Sequence, residues 1–236
     1  MSAPTLIFDF DSTLVRIETL DALAELCLSD VPDADLVKAQ IVSLTDQAMS
    51  GALSFGEALR RRLALLPLHR RHIEALADRI LDEGTPSVRR NLRFFQDNAE
   101  RIYILSGGFR EIITPVAERL GIAPERVLCN DFVYDVEGQV TGVDEASPLA
   151  HKDGKPAIIK ALQLEGDVVM IGDGWNDAEV KLAGAASRFY AYSEIVRREP
   201  VIAVADAEVA SMDELLHLEG LTGRWSYPRQ RIRMLL

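Results

Sequence analysis

Three short segments of the chain set carboxylates and small polar residues at the ends of apolar runs, where they could serve a common chemistry. Asp9-Phe10-Asp11-Ser12-Thr13 follows the run Thr5 to Phe8. Asp9 and Asp11, separated by one residue, share a face of an extended strand, and a turn directly after the strand would aim both at one point. Without that turn they are a polar strand end, with Ser12 and Thr13 as helix caps. Ser106-Gly107-Gly108 follows Arg101 to Leu105 and puts a hydroxyl and unhindered backbone N–H groups ahead of a helical pattern from Arg110 to Leu120. Such a loop suits a phosphate or an ordinary tight turn. Gly172-Asp173-Gly174-Trp175-Asn176-Asp177 follows Asp167 to Ile171 and adds two acids where apolar flanks make idle charge costly. Hard oxygen donors without a His or Cys ligand set favour Mg²⁺, which also bridges to phosphate oxygens.

The elements that must position these loops follow one pattern. A short apolar run, a polar loop and a helical stretch recur, with further runs at Arg188 to Tyr192 and Val201 to Val204. This predicts an α/β fold, a Rossmann-like parallel sheet whose ligands bind beyond the carboxyl ends of the strands. Between Glu18 and Leu81 the pattern changes to helical periodicity over Asp21 to Leu28, Asp33 to Met49, Ser54 to Leu66 and His69 to Leu81. The expected division is a core of residues 1–15 and 86–236 with an inserted all-helical cap at 16–85. Thr85-Pro86-Ser87 starts the returning helix. Apolar residues from Val127 to Val143 predict a hairpin about Glu137-Gly138. At 100° per residue, Phe55, Leu59, Arg62 and Leu66 share one stripe. Arg62 on that stripe is either an anion ligand or an arginine snorkelling from a helix interface.

The chain has 236 residues, 48% hydrophobic and 27% charged, values of a folded domain with a sizeable core. Its net charge of −11 repels phosphate backbones and anionic headgroups, so neither nucleic acid nor membrane is an expected partner. Cys27 and Cys129 match no metal or disulfide spacing and are expected to be buried thiols. With no leader pattern at the start, the expected location is cytoplasmic.

Taken in order, these residues resemble the haloacid dehalogenase superfamily over the whole chain. Asp9-Phe10-Asp11-Ser12-Thr13 is similar to its first motif, Ser106 to its second, a lysine near Lys155 to its third and Gly172 to Asp177 to its fourth. The resemblance implies that Asp9 is the nucleophile and that Asp11 is the general acid and base. It also implies Mg²⁺ held by Asp9, the Asp11 carbonyl and Asp173. Ser106, Gly107, Lys155 and Asn176 would then bind phosphate, with Asp177 supporting Lys155. Lys155 stands before Pro156, at the expected start of a helix from Pro156 to Leu164; Lys152 is its rival. Because Asp11 is an aspartate, the resemblance points to a hydrolytic phosphatase.

The segment Thr45 to Gly51, with Phe55 and Arg62, resembles the cap of phosphoserine phosphatases, and Glu18 matches as well. That likeness implies Glu18 on a substrate ammonium, Arg62 on its carboxylate, and Met49, Phe55 and Gly108 in the pocket wall. Taken singly, Glu18 is also an ordinary helix-start acid, and Met49 and Phe55 ordinary core residues. A zwitterionic amino acid does need one partner of each sign. The expected function is thus Mg²⁺-dependent hydrolysis of O-phospho-L-serine, a small phosphomonoester, by a monomer or homodimer. The alternatives are another small amino-acid or amino-alcohol phosphate, or a non-catalytic phosphometabolite sensor. Trp175 departs from the smaller residue expected in the fourth motif. Arg224, Arg229, Arg231 and Arg233 form a basic C-terminal stretch, read as a frayed tail or a subunit contact.

Overall fold

The computed structural model describes residues 3–29 and 31–221; the basic C-terminal stretch lies outside them. Its strands are β1 Thr5–Phe8, β2 Ile102–Phe109, β3 Val127–Asn130, β4 Phe132–Tyr134, β5 Val140–Val143, β6 Val168–Gly172, β7 Arg188–Tyr192 and β8 Ala207–Val209. Six of them form a parallel sheet in the order β3-β2-β1-β6-β7-β8. From the central β1 the chain adds β2 and β3 on one side and β6 to β8 on the other. The reversal opens a crevice beyond the carboxyl ends of β1, β2 and β6, and these are the strands that precede the three polar loops.

Four helices lie between β1 and the returning core: α1 Thr19–Cys27, α2 Ala34–Met49, α3 Phe55–Leu65 and α4 Arg70–Ala77. The core helices are α5 Pro86–Arg90, α6 Leu92–Asp97, α7 Arg110–Leu120, α8 Gly154–Leu162, α9 Trp175–Leu182, α10 Glu199–Ile202 and α11 Met212–Leu218. Alternation along β1 supplies both faces of the sheet. Leu6 and Phe8 pack with Phe95, Ile104 and Ile112 on one side, and Ile7 packs with Leu105, Met170 and Phe189 on the other. Burial on both faces explains why these strands read as unbroken apolar runs.

Several elements differ from expectation. Val201 to Val204 is no strand: Pro200 cannot donate to a ladder and sits in the first turn of α10, so the edge strand is Ala207–Val209 instead. Val127 to Asn130 leaves the hairpin and joins the main sheet beside β2, opposite Ile104 and Leu105, which leaves Phe132–Tyr134 and Val140–Val143 as the antiparallel ribbon. The segment expected to be helical from His69 to Leu81 ends at Ala77 and continues as a short 3₁₀ turn, Ile80–Glu83. The helix expected from Pro156 to Leu164 runs from Gly154 to Leu162. Ser106-Gly107-Gly108 stays extended at the end of β2, with a shift of register against β3. Among the described residues no helix is long and apolar enough to cross a membrane.

Candidate active site

β1 ends at Phe8, and the chain turns at once. The Phe10 carbonyl accepts hydrogen bonds from the Thr13, Leu14 and Val15 N–H groups at 3.3, 2.9 and 3.1 Å, and Ser12 adopts a left-handed φ of 53°. The turn follows β1 directly, and Asp9 and Asp11 both line one chamber. Asp9 is 3% exposed. The Lys155 ammonium lies 2.9 Å from Asp9 Oδ1 and donates to Asp177 Oδ1 at 2.6 Å. Asp177 Oδ2 accepts from the Gly174 N–H at 3.0 Å. Burial alone would pull Lys155 down; Asp177 and Asp9 outweigh it and hold the ammonium above its ordinary range. Of the two lysines, Lys155 lies beside Asp9, and Lys152 stays exposed at a neighbouring cavity.

The carboxylates of Asp9, Asp173 and Asp177 each offer an oxygen within 4.8 Å of the others. Asp173 Oδ2 accepts from Arg198 Nε at 3.0 Å, whereas its Oδ1 is buried without a hydrogen-bond partner. Burial, then Glu18 and Asp9, push the Asp173 carboxyl well above the usual range, and burial with Asp9 pushes Asp177 up to about 7. Crowded acids with an orphaned oxygen fit a hard divalent cation, and the donor set is that of Mg²⁺. The Asp11 side chain stands outside this trio. Its Oδ2 accepts from the Thr19 hydroxyl at 3.0 Å and its Oδ1 has no partner. Burial, Glu18 and Asp9 raise the Asp11 carboxyl well above the usual carboxylate range.

Across the chamber, Glu18 Oε1 accepts from the Ser12 hydroxyl at 2.7 Å and faces Arg198 at 3.6 Å. Burial, with Asp21, raises its carboxyl against the pull of Arg198 and Arg62. Arg62 is 3% exposed, a burial rare for a guanidinium. Its Nη1 donates to Thr45 Oγ1 at 3.1 Å and its Nε to the Ala58 carbonyl at 3.4 Å, while burial lowers its pKa and Glu18, Asp21 and Asp11 counter that. Arg62 thus does not snorkel to solvent but lines the chamber. Met49 is buried and Phe55 half-buried, and the Phe55 ring lies so close to Gly107 that any side chain there would overlap it.

Asp9, Asp11, Glu18, Met49, Phe55 and Arg62 line a single chamber together with Ser106, Gly107, Gly108 and Asn176, and the space left is about 20 Å³. The glycine loop is less open than expected, because the Gly108 N–H donates to Ser106 Oγ at 3.0 Å and Asn130 Nδ2 holds the Gly107 carbonyl at 2.9 Å. Two contributors, Thr19 and Arg198, carried no signal in the sequence, and Thr45 entered it only within the segment Thr45 to Gly51. Thr19 is an ordinary helix residue until packing aims it inward. Arg198 lies in the loop after β7, and only its place beyond a strand end could have suggested it.

A fold and a site of this kind define a class. The family model of haloacid dehalogenase-like hydrolases matches residues 6–180, and the chain belongs to that family; it is a phosphomonoester hydrolase. The phosphoserine phosphatase of Bos taurus is 34% identical over 218 residues, covering 91% of this chain and 92% of that protein. A phosphoserine phosphohydrolase-like protein from Francisella tularensis superposes with a TM-score of 0.82 at 29% identity, over 91% of this chain and 99% of the other. A phosphoserine phosphatase structure described as a phospho-aspartyl intermediate analogue gives a TM-score of 0.73 at 26% identity, over 92% of this chain and 99% of that one.

Proposed function

We propose that this phosphatase hydrolyses O-phospho-L-serine through a phosphoryl group carried on Asp9. The observation that carries the reading is the pairing of charges in one enclosed chamber. Asp9, Asp11, Ser106 and Asn176 line it together with a half-buried carboxylate, Glu18, and a buried guanidinium, Arg62. An ammonium against Glu18 and a carboxylate against Arg62 would fix an α-amino acid by both its charges, a demand that simpler esters do not meet. The curated relatives named phosphoserine phosphatase support it.

In this reading residues 16–85 are a cap over a core of 1–15 and 86–236. Asp9, the Asp11 carbonyl and Asp173 hold Mg²⁺, whose charge when bound offsets the repulsion between a carboxylate nucleophile and a phosphate dianion. An Asp9 oxygen attacks phosphorus as the bond to the seryl oxygen breaks, and Asp11 delivers its proton to that oxygen. Asp11, now ionised, takes a proton from the water that attacks the phosphoryl group, and phosphate leaves with Asp9 restored. Lys155, with Ser106, Gly107 and Asn176, balances the charge on the transferring oxygens, and Asp177 keeps Lys155 aimed. Met49, Phe55 and Gly108 shape the wall around the seryl group. The chamber's remaining ≈ 20 Å³ holds about one water, so an ester enters only when the cap shifts.

Phosphate release tests this, measured with Mg²⁺ on O-phospho-L-serine, O-phosphothreonine, phosphocholine and an aryl phosphate. Asp9→Asn is expected to abolish turnover of every ester. Arg62→Ala is expected to raise KM for phosphoserine by about tenfold or more while sparing the aryl phosphate. Equal losses on all esters for Arg62→Ala sink the substrate assignment.

A further inference from the structure

The seam between the helical insertion and the sheet is unevenly packed near the site. A cavity of about 240 Å³ runs along it, bordered by Leu53, Ser54 and Phe55 on one side and by His151, Lys152 and Trp175 on the other. Contact there is concentrated in a few interlocks. Phe55 and Met49 of the insertion fill the hollows over Gly107 and Gly174 of the core. A third interlock runs the opposite way: the core's Trp175 stands against Gly51, in the link between α2 and α3. A methyl group on Gly51 would lie 2.8 Å from Trp175 Cγ and 2.9 Å from Cδ1, and Gly51 has a φ of +79°. Close approach and left-handed backbone together leave glycine as the residue that fits. Trp175 opens α9 among Asp173, Gly174, Asn176 and Asp177. One rigid, half-buried ring thus joins the acid-bearing loop to the insertion.

We propose that Trp175 is a positioning residue: its ring, seated on Gly51, latches the cap shut over the phosphorylated site. The proposal rests on the reading of 16–85 as a cap over a phosphoryl-transfer site. Trp175 acts through the cap. Because the cavity removes other contacts beside it, loss of the ring weakens closure without touching the reacting atoms. Phosphoserine, which needs the cap's Arg62, should feel this far more than an ester that makes no cap contact.

Trp175 and Trp225 are the two tryptophans of the chain, so Trp225→Phe leaves Trp175 as the sole indole. In that variant, acrylamide quenching of the indole emission is expected to fall by about twofold on adding Mg²⁺ with orthovanadate, as the cap seats on the ring. Trp175→Ala is expected to raise KM for O-phospho-L-serine by about tenfold with kcat held within about threefold. Trp175→Phe should recover most of that KM, and Gly51→Ala should reproduce the rise from the other side of the contact. Gly51→Ala also serves should Trp175→Ala fail to fold. Quenching unchanged by Mg²⁺ and orthovanadate overturns the latch. So does a Trp175→Ala variant that loses kcat and kcat/KM equally at constant KM, since the ring would then act on the acid-bearing loop itself. A native chain that leaves phosphoserine intact yet shows the quenching change sinks the substrate assignment and keeps the latch.

Discussion

Lys155 is the residue on which most of the site's charge depends. It is 4% exposed and joins Asp9 to Asp177, so its removal strands two carboxylates where water cannot reach them. Breaking such a buried pair costs about 3–5 kcal/mol. In a chain of this length Lys155→Met should therefore lower Tm by about 10 °C, read by calorimetry. Adding Asp177→Leu should restore much of that Tm and none of the turnover; an unchanged Tm in the single variant would show that the ammonium is not the counter-charge. The thiols make a second case. Burial pushes Cys27 up to about 11 and Cys129 up to about 12 from an ordinary value of 9.0. A raised folded-state value means the fold favours the neutral thiol, a contribution complete below the unfolded value and lost as pH climbs through the folded one. The native protein at about pH 8 should leave both thiols unlabelled by an aromatic disulfide reagent, and guanidinium should expose both. Labelling of either thiol in the native state would contradict its burial.

At the scale of elements, Ser87 joins three of them. It sits in the first turn of α5, contacts the Tyr192 hydroxyl at the end of β7 at 2.8 Å, donates to Glu194, and accepts the Met212 N–H at the head of α11 at 2.8 Å. Ser87→Ala leaves the buried Met212 N–H short of a partner, while the Tyr192 hydroxyl keeps Glu194 at 2.7 Å, a loss of about 1–3 kcal/mol, or a Tm lower by about 3–9 °C. A Tm within a degree of native would show that the hub is replaceable. The same loop carries Arg198 to Asp173 and so joins packing to the site. Elements of this size differ in how legible they are. The four insertion helices show in the sequence because their apolar stripes repeat at helical spacing over long stretches. Val201 to Val204 misleads because a four-residue apolar run fits a buried helical turn as well as a strand, and Pro200 decides between them. Ser106 to Gly108 fall where β2 shifts register between its paired positions Leu105 and Phe109, and the Asn130 side chain, about twenty residues away, holds the Gly107 carbonyl there.

For the whole molecule, the excess of acid at the crevice sets the response to metal. Protein stripped by a chelator should gain Tm on adding Mg²⁺, by about 5–10 °C at a hundredfold excess over Kd. Asp173→Asn should remove most of that gain. A gain equally large in Asp173→Asn would mean that Mg²⁺ merely screens a chain of net charge −11. The sequence by itself determined the kinds of group available, the order of the three polar loops and the insertion between the first and second. Those are properties of neighbouring residues, and hydrophobic period reports them. Tertiary structure alone decided that Lys155 reaches Asp9 and Asp177 while Lys152 stays exposed, that Arg62 turns inward, and that Arg198 joins Asp173. Each of these depends on β1 lying between β2 and β6 and on a helical layer closing over their ends. Contacts between segments a hundred residues apart follow from burial shared by the whole chain, which no local pattern encodes.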